Sequence, residues 1–157
     1  MKVKKIKRNI FFWLISLVFF FAIKIMTSLL ITIIFKSDLN NKVVNEISNS
    51  DFVFVLSVVF APIIETFIFF KLTLMGLDYF KKNEFVGRYK VYLFVLISSL
   101  LFSVNHCYNV SYLISAFISG VLYSLIYYKS FIKKNYPFIG TVIIHSLYNL
   151  FVFCYKL

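Results

Sequence analysis

The stretch Ala61-Pro-Ile-Ile-Glu-Thr-Phe-Ile-Phe-Phe70 sets one carboxylate, Glu65, in the middle of a long apolar segment. A charged side chain inside a membrane-spanning helix costs roughly 2.5–3.5 kcal/mol on insertion scales, so such residues normally face the interior of a helix bundle. Two further apolar segments carry polar residues in the same way, Phe102-Ser-Val-Asn-His106 and His145-Ser-Leu-Tyr-Asn149. An acid, two histidines and an amide on three segments therefore predict a polar site inside a membrane protein.

The composition of the chain is that of an integral membrane protein. Hydrophobic residues make up 61% of the 157 residues, whereas soluble domains contain roughly 45–50%. Five apolar segments reach the roughly 20 residues that a helix needs to cross about 30 Å of hydrocarbon. They are residues 10–35, 52–77, 90–107, 110–128 and 137–155. We therefore predict an all-α fold, a polytopic membrane helix bundle of about five transmembrane helices.

The basic residues predict how this bundle is oriented. The N-terminus, the loop after the second segment and the loop after the fourth together hold 13 lysine and arginine residues when Lys71 and Lys90 at the segment ends are counted, against three on the opposite side. Because positive charge is retained on the cytoplasmic side of a membrane, we predict a cytoplasmic N-terminus. Membrane orientation then accounts for the net charge of +11, and we expect no binding to nucleic acid.

The N-terminus resembles a signal peptide, because the basic stretch Met1–Arg8 precedes the apolar stretch Phe11–Phe21. The apolar sequence nevertheless resumes after Lys24 and continues to Phe35, and no small-residue cleavage site interrupts it. We therefore predict a retained first helix. Lys24 falls near its middle, where the side chain must either reach along the helix to the interface or face a polar interior.

The polar residues are suited to hydrolysis. Residues four apart share a helix face, so Phe102 lies on the same side as His106, and His145 on the same side as Asn149. A carboxylate such as Glu65 can act as a general base for water, with a histidine that shares this water and passes a proton to a leaving amine. A second histidine and an amide can donate hydrogen bonds to a developing oxyanion. The same acid and histidines could instead hold a divalent metal, and the spacing does not separate the two chemistries.

Structural roles are also open to these residues. His106 lies close to the predicted end of its helix, where a polar residue costs little, and a single histidine there could serve packing alone. His145 and Asn149 could join helices by hydrogen bonds. Lys71 lies six positions after Glu65, off its face, and is typical of a cation that anchors a helix end. The three polar clusters occurring together favour a functional site.

In these residues the chain resembles the CPBP family, which includes CAAX proteases and bacteriocin-processing enzymes and is also called the Abi family. Its hallmarks are Glu-Glu-x-x-x-Arg, Phe-x-x-x-His and His-x-x-x-Asn on separate helices, in that order. The second motif is matched by Phe102–His106 and the third by His145–Asn149, while the first is matched at Pro62, Glu65 and Phe69. The resemblance extends from about residue 52 to residue 155.

The resemblance implies a glutamate-dependent intramembrane endopeptidase. Glu65 and His106 would activate water, and His145 and Asn149 would stabilise the oxyanion. The candidates for a divalent metal, which the resemblance does not require, are Glu65, His106 and His145. The expected partners are membrane lipid and a peptide or protein substrate in or at the membrane.

The resemblance also divides the chain into two parts. Residues 1–51 comprise the basic segment, the first helix and a loop, and residues 52–157 comprise the protease-like domain. The abundance of Phe, Ile, Lys and Asn indicates an AT-rich Gram-positive bacterium, so we expect the chain in its cell membrane, without a prenylated substrate.

The first motif departs from the family pattern at two positions. Thr66 stands where the family has its second Glu, and Phe70 stands where it has Arg. Losing both removes a buried charge together with its counter-ion, which is less damaging than losing one partner, and Glu65 remains. The departures also favour an alternative, a non-catalytic family member that acts as a bacteriocin self-immunity protein or as a membrane accessory for binding or transport. A channel is disfavoured because no helix has a repeated polar stripe.

Glu65 and His106 can belong to one site only if they lie at a similar depth in the membrane. If the second helix ended at Lys71, Glu65 would lie only ~9 Å from the cytoplasmic side, at ~1.5 Å per residue. His106 would lie ~24 Å beyond Lys90, near the opposite side. The two can meet only if the second helix continues towards Lys81 or the third begins deeper, and we expect the former.

Overall fold

The computed structural model describes residues 2–35 and 51–155 of the chain, and in these ranges every regular element is helical. Five helices in them are long and apolar enough to cross a membrane. The predicted all-α membrane bundle of about five helices is therefore confirmed. The predicted loop after the first helix lies outside the described residues. The cytoplasmic position of the N-terminus remains a prediction.

Four of the five helices are regular. They are α1 (Lys2–Phe35), α3 (Glu84–Val104), α4 (Val110–Ile132) and α5 (Pro137–Tyr155). The remaining helix, α2 (51–79), alternates between two helical forms. Its α-helical parts are Asp51–Val55, Ala61–Glu65 and Thr73–Tyr79, and its π-helical parts are Leu56–Phe60 and Thr66–Leu72.

The predicted bounds of the third helix, 90–107, are wrong at both ends. The helix begins earlier because the Asn83 side chain accepts a hydrogen bond from the Val86 amide at 3.2 Å and caps it. It ends earlier, at Val104, and a short turn follows before α4. His106 therefore lies in this turn, which is closed by Asn109 as the cap of α4.

The second helix continues well past Lys71, to Tyr79, as the sequence argument on depth requires. A turn then reverses the chain into α3. An ion pair between Lys90 and Asp78, at 2.6 Å, ties the two helices together beside this turn. Lys71 lies within α2, where its ammonium group packs over the rings of Phe67 and Phe138.

Glu65 lies at the junction between an α-helical and a π-helical part of α2. The nearby Pro62 has no amide hydrogen, and its ring would clash with the carbonyl four residues earlier, that of Val58, in a regular helix. The π-helical turn Leu56–Phe60 contains this carbonyl and widens the helix there. Such π-helical turns occur frequently at functional sites. They alter which residues share a face, so a regular helical projection does not give the direction of Glu65.

The fourth helix is the centre of the bundle. Half of its membrane-spanning window is buried, against 17–22% in the other four helices, whose apolar outer faces are exposed as lipid-facing surfaces would be. It packs closely on α3 at Gly120, where an added Cβ would lie 2.8 Å from the Cα of Ser99. Small residues permit such close approach between membrane helices.

The first helix packs against α4 and α5. The Trp13 indole lies directly on Gly140 of α5, and no side chain at position 140 would fit there without a shift. Phe20 is fully buried and stacks on Tyr123 of α4, with ring centroids 4.5 Å apart. α1 is therefore an integral part of the bundle.

We predict that Gly120→Ala destabilises the bundle by about 1–3 kcal/mol, because the new methyl group would press on the backbone of Ser99. Gly76→Ala is the matched control, since an added Cβ at Gly76 meets no atom within 4 Å. Removing a helical glycine there should leave stability unchanged or raise it by up to about 1 kcal/mol. Unfolding of the detergent-solubilised variants in SDS measures both, and equal effects would contradict the close packing.

Candidate active site

The structure brings together the four residues that the sequence singles out. Oε1 of Glu65 lies 3.7 Å from Nε2 of His106, and Oε2 of Glu65 lies 3.5 Å from Nε2 of His145. Asn149, one turn after His145, donates a hydrogen bond from its amide to the backbone carbonyl of Ser57 at 2.9 Å. All four side chains line one cavity of about 450 Å³. Their predicted catalytic roles remain predictions.

His106 is held in one orientation by the last turn of α3. Its Nδ1 atom lies 2.7 Å from the carbonyl oxygen of Phe102, and its ring packs on the Phe102 ring. A carbonyl can only accept a hydrogen bond, so Nδ1 carries the proton. In the neutral ring, the lone pair is then on Nε2, the atom that faces Glu65.

Burial lowers the pKa of His106 below its ordinary value near 6.5. The hydrogen bond to Phe102 opposes this effect on the pKa, and the nearby positive charge of Lys24 adds to it. The net result is a neutral imidazole at pH 7. His106 is therefore suited to accept a hydrogen bond through Nε2.

His145 is positioned by aromatic packing. Only 2% of the residue is exposed, and its ring lies 4.6 Å from that of Tyr123 and 5.6 Å from that of Phe102. Oε2 of Glu65, which faces it, is buried and has no hydrogen bond to any described residue. The two rings that hold His145 also contact the core, so a change in the core would move the imidazole.

Sequence reasoning missed part of the cavity wall. Tyr112 packs its ring beside that of His106, and Tyr148 also faces the cavity. The signal for these tyrosines was weak, because aromatic residues are abundant throughout the chain. Lys24 of α1 lines the same cavity. Of the two positions that the sequence allows, the membrane interface and a polar interior, its side chain therefore takes the polar interior. A charge near the middle of an apolar helix was its signal.

The two positions that depart from the family motif are filled by packing. Phe70 is fully buried, and its ring lies 6.0–6.3 Å from those of Phe102, Tyr123 and Tyr127. Thr66 is also fully buried, and its hydroxyl bonds to no described residue. Lys71, one position on, is not among the described residues that line the cavity. An aromatic cluster therefore takes the place of a charged pair.

The metal ligands that the sequence suggests, Glu65, His106 and His145, stay a prediction for the described part of the chain. No group of three or more His, Cys, Asp or Glu residues there is arranged to hold an ion.

Comparison with protein families gives a match over most of the chain. The model of the family described as type II CAAX prenyl endopeptidase Rce1-like matches residues 48–151, which is more than half of the chain. The matched range includes Glu65, His106, His145 and Asn149, whereas Lys24 precedes it. No curated protein and no solved structure matches the chain significantly.

We predict that Phe70→Arg destabilises the protein by about 3–5 kcal/mol, because it buries an unpaired cation in the aromatic cluster. Phe70→Leu is the control for lost aromatic packing without charge. Adding Thr66→Glu to Phe70→Arg should recover part of the loss, with a coupling of about 1 kcal/mol or more. The same SDS unfolding measurement applies, and strictly additive losses would show that the two positions do not form a pair.

We also predict that His106 carries its proton on Nδ1 at pH 7 and titrates below 6.5, because burial lowers its pKa. The chain has two histidines, so His145→Gln leaves His106 as the single imidazole. Nitrogen chemical shifts of labelled histidine, followed from pH 8 to pH 4, measure both properties. A proton on Nε2, or a midpoint above 6.5, would refute the assignment.

Proposed function

The chain belongs to the Rce1-like family of type II CAAX prenyl endopeptidases, and from this membership we propose that it is an intramembrane endopeptidase. This is the family, also called CPBP or Abi, that the three motifs predict. The observation that carries the proposal is the contact of the Glu65 carboxylate with Nε2 of both His106 and His145. The substrate that we propose is a small peptide, or a protein that lies in or at the membrane.

Glu65 and His106 activate water in the proposed reaction. A water molecule between them can donate one hydrogen bond to Oε1 of Glu65 and the other to the lone pair on Nε2 of His106. Glu65 takes a proton from this water as the oxygen attacks the carbonyl carbon of the substrate. General base catalysis of this kind contributes about 10²–10⁴ to a rate.

His145 and Asn149 stabilise the negative charge that the attack creates. Asn149 has two amide hydrogens, and the bond to Ser57 uses one of them, which leaves the second for the oxyanion. His145 donates from Nε2, the nitrogen nearest the carboxylate. When the tetrahedral intermediate collapses, the carbon–nitrogen bond breaks and the proton taken up by Glu65 passes through Nε2 of His106 to the leaving amine.

The proposed organisation of the chain follows from this site. Residues 52–157 form the protease domain and hold all four residues with catalytic roles. Residues 1–51 contribute a basic segment and the first helix, and α1 adds to the cavity wall. The apolar outer faces of the helices contact lipid, and we place the protein in the cell membrane of a Gram-positive bacterium.

A second function is favoured by one observation, the aromatic cluster at Phe70. With neither an acid at position 66 nor a cation at position 70, the packed side of α2 lacks two charges of the family motif. A family member without activity could bind a peptide in the same cavity and act in bacteriocin self-immunity or as an accessory of transport. Binding of this kind would need the cavity, but it would not need Glu65 to act as a general base.

We predict that Glu65→Gln lowers peptide cleavage by about 10²-fold or more, because the amide cannot take a proton from water. His145→Ala should lower it similarly through the loss of an oxyanion donor. Glu84→Gln is the matched control, since that carboxylate is exposed at the start of α3. The assay incubates the full chain in lipid nanodiscs with a library of apolar peptides and detects new termini by mass spectrometry.

The same variants decide between the two functions. If Glu65→Gln and His145→Ala give the same peptide products as the unaltered chain, the protease proposal is wrong. Protection of cells against a bacteriocin that survives both substitutions would then support the binding function.

A further inference from the structure

Lys24 is a buried cation that the proposed hydrolysis does not use. Lys24 is 5% exposed. Its ammonium group donates hydrogen bonds to the carbonyl oxygen and the hydroxyl oxygen of Ser115, at 3.1 and 2.6 Å. It also lies 5.4 Å from the centre of the Tyr148 ring. Lys24 lines the same cavity as Glu65, although it comes from α1, outside the residues that the family model matches.

No described carboxylate forms an ion pair with this cation. Asp78 pairs with Lys90 and Glu84 pairs with Arg88, while Glu65 contacts the two histidines. An ammonium group has three hydrogens, and the bonds to Ser115 use two of them. The third has no acceptor among the described side chains, and burial without a counter-ion is costly.

A ligand bound in the cavity would contact the Lys24 ammonium group. Its volume of about 450 Å³ lies in the range of small-ligand sites, and its lining combines apolar rings with the polar groups of the candidate active site. Lys24 is the one basic side chain other than histidine among the described residues that line it. A single ammonium group with no second described cation beside it matches the one negative charge of a carboxylate.

We propose that Lys24 binds a carboxylate of the peptide substrate and thereby selects acidic peptides for this cavity. The proposal rests on the proposed function and adds a substrate class to it, peptides that carry a carboxylate beside the bond presented to Glu65. The carboxylate comes either from the C-terminus of the peptide or from an aspartate or glutamate side chain. Lys24 is then a specificity residue supplied by the helix outside the family domain.

The test compares three synthetic peptides that differ in charge. The first is acetyl-Ala-Leu-Phe-Leu with a free C-terminal carboxylate, the second is the same peptide with a C-terminal amide, and the third is the amide with aspartate in place of the first leucine. Binding to the full chain in lipid nanodiscs is measured by microscale thermophoresis, and mass spectrometry checks that the peptides stay intact.

We expect at least one carboxylate peptide to bind about tenfold more tightly than the neutral amide, since a hydrogen bond between charged groups is strong. The peptide that shows this preference identifies the source of the carboxylate. Lys24→Met should bring the ratio of the dissociation constants to about 1, whereas Lys24→Arg should keep a preference. Lys71→Met is the matched control, because Lys71 lies in another membrane-spanning helix and packs on Phe67 and Phe138.

Two results would overturn the proposal. One is that the neutral amide binds the unaltered chain as tightly as both carboxylate peptides, a comparison that needs no variant to fold. The other is that the carboxylate preference survives in Lys24→Met. Lys24→Gln, which keeps a hydrogen-bond donor without the charge, replaces Lys24→Met if thermal unfolding shows that the latter is not folded.

Failure of this proposal can be told apart from failure of the proposed function. Glu65→Gln should lose cleavage and keep the carboxylate preference, because the base and the cation are different groups. A preference that depends on Lys24 without any Glu65-dependent cleavage would support the carboxylate site and refute the protease. Cleavage that depends on Glu65, without a carboxylate preference that depends on Lys24, would support the protease and refute the carboxylate site.

Discussion

A carboxylate inside a membrane-spanning helix has no bulk water around it, so its oxygens must find partners on neighbouring helices. Glu65 lies between two imidazoles, one from the turn after α3 and one from α5, although its Oε2 atom makes no hydrogen bond to a described residue. Both imidazoles are fixed by their surroundings, His106 by the carbonyl of Phe102 and His145 by aromatic rings. The arrangement of three helices around one acid therefore gives the cavity its chemistry.

The departures from the family motif are confined to the packed side of α2. Glu65 faces the cavity, whereas Thr66 and Phe70 are fully buried in the bundle. Phe70 joins the aromatic cluster that includes Phe102 and Tyr123, and those two rings also hold His145. The substitution of a charged pair by apolar packing is thus compatible with a fixed imidazole, because ring contacts can hold a side chain as ion pairs do.

Much of the fold could be predicted from the sequence, and the errors have identifiable causes. The length of an apolar run is set by the thickness of the membrane, so the number of helices followed directly. The third helix was placed wrongly because capping by Asn83 extends it through polar residues that hydropathy excludes. The π-helical turns of α2 were not predicted either. They depend on Pro62 and on packing between helices, and the regular spacing of apolar residues in the sequence shows neither effect. The acid, the histidines and the amide could be chosen from sequence because polar groups are rare in hydrocarbon.

The sequence by itself determined that the chain is a helical membrane protein and which polar residues it places in apolar segments, because both follow from the cost of exposing polar groups to lipid. Only the tertiary structure decided that Glu65 meets two imidazoles and that Lys24 of α1 enters the same cavity. Such contacts depend on how helices far apart in the chain are rotated and packed, and the hydropathy of single segments does not contain that information. The tertiary structure also decided the place of the first helix in the bundle, because the packing of Trp13 on Gly140 depends on the surfaces of two helices together.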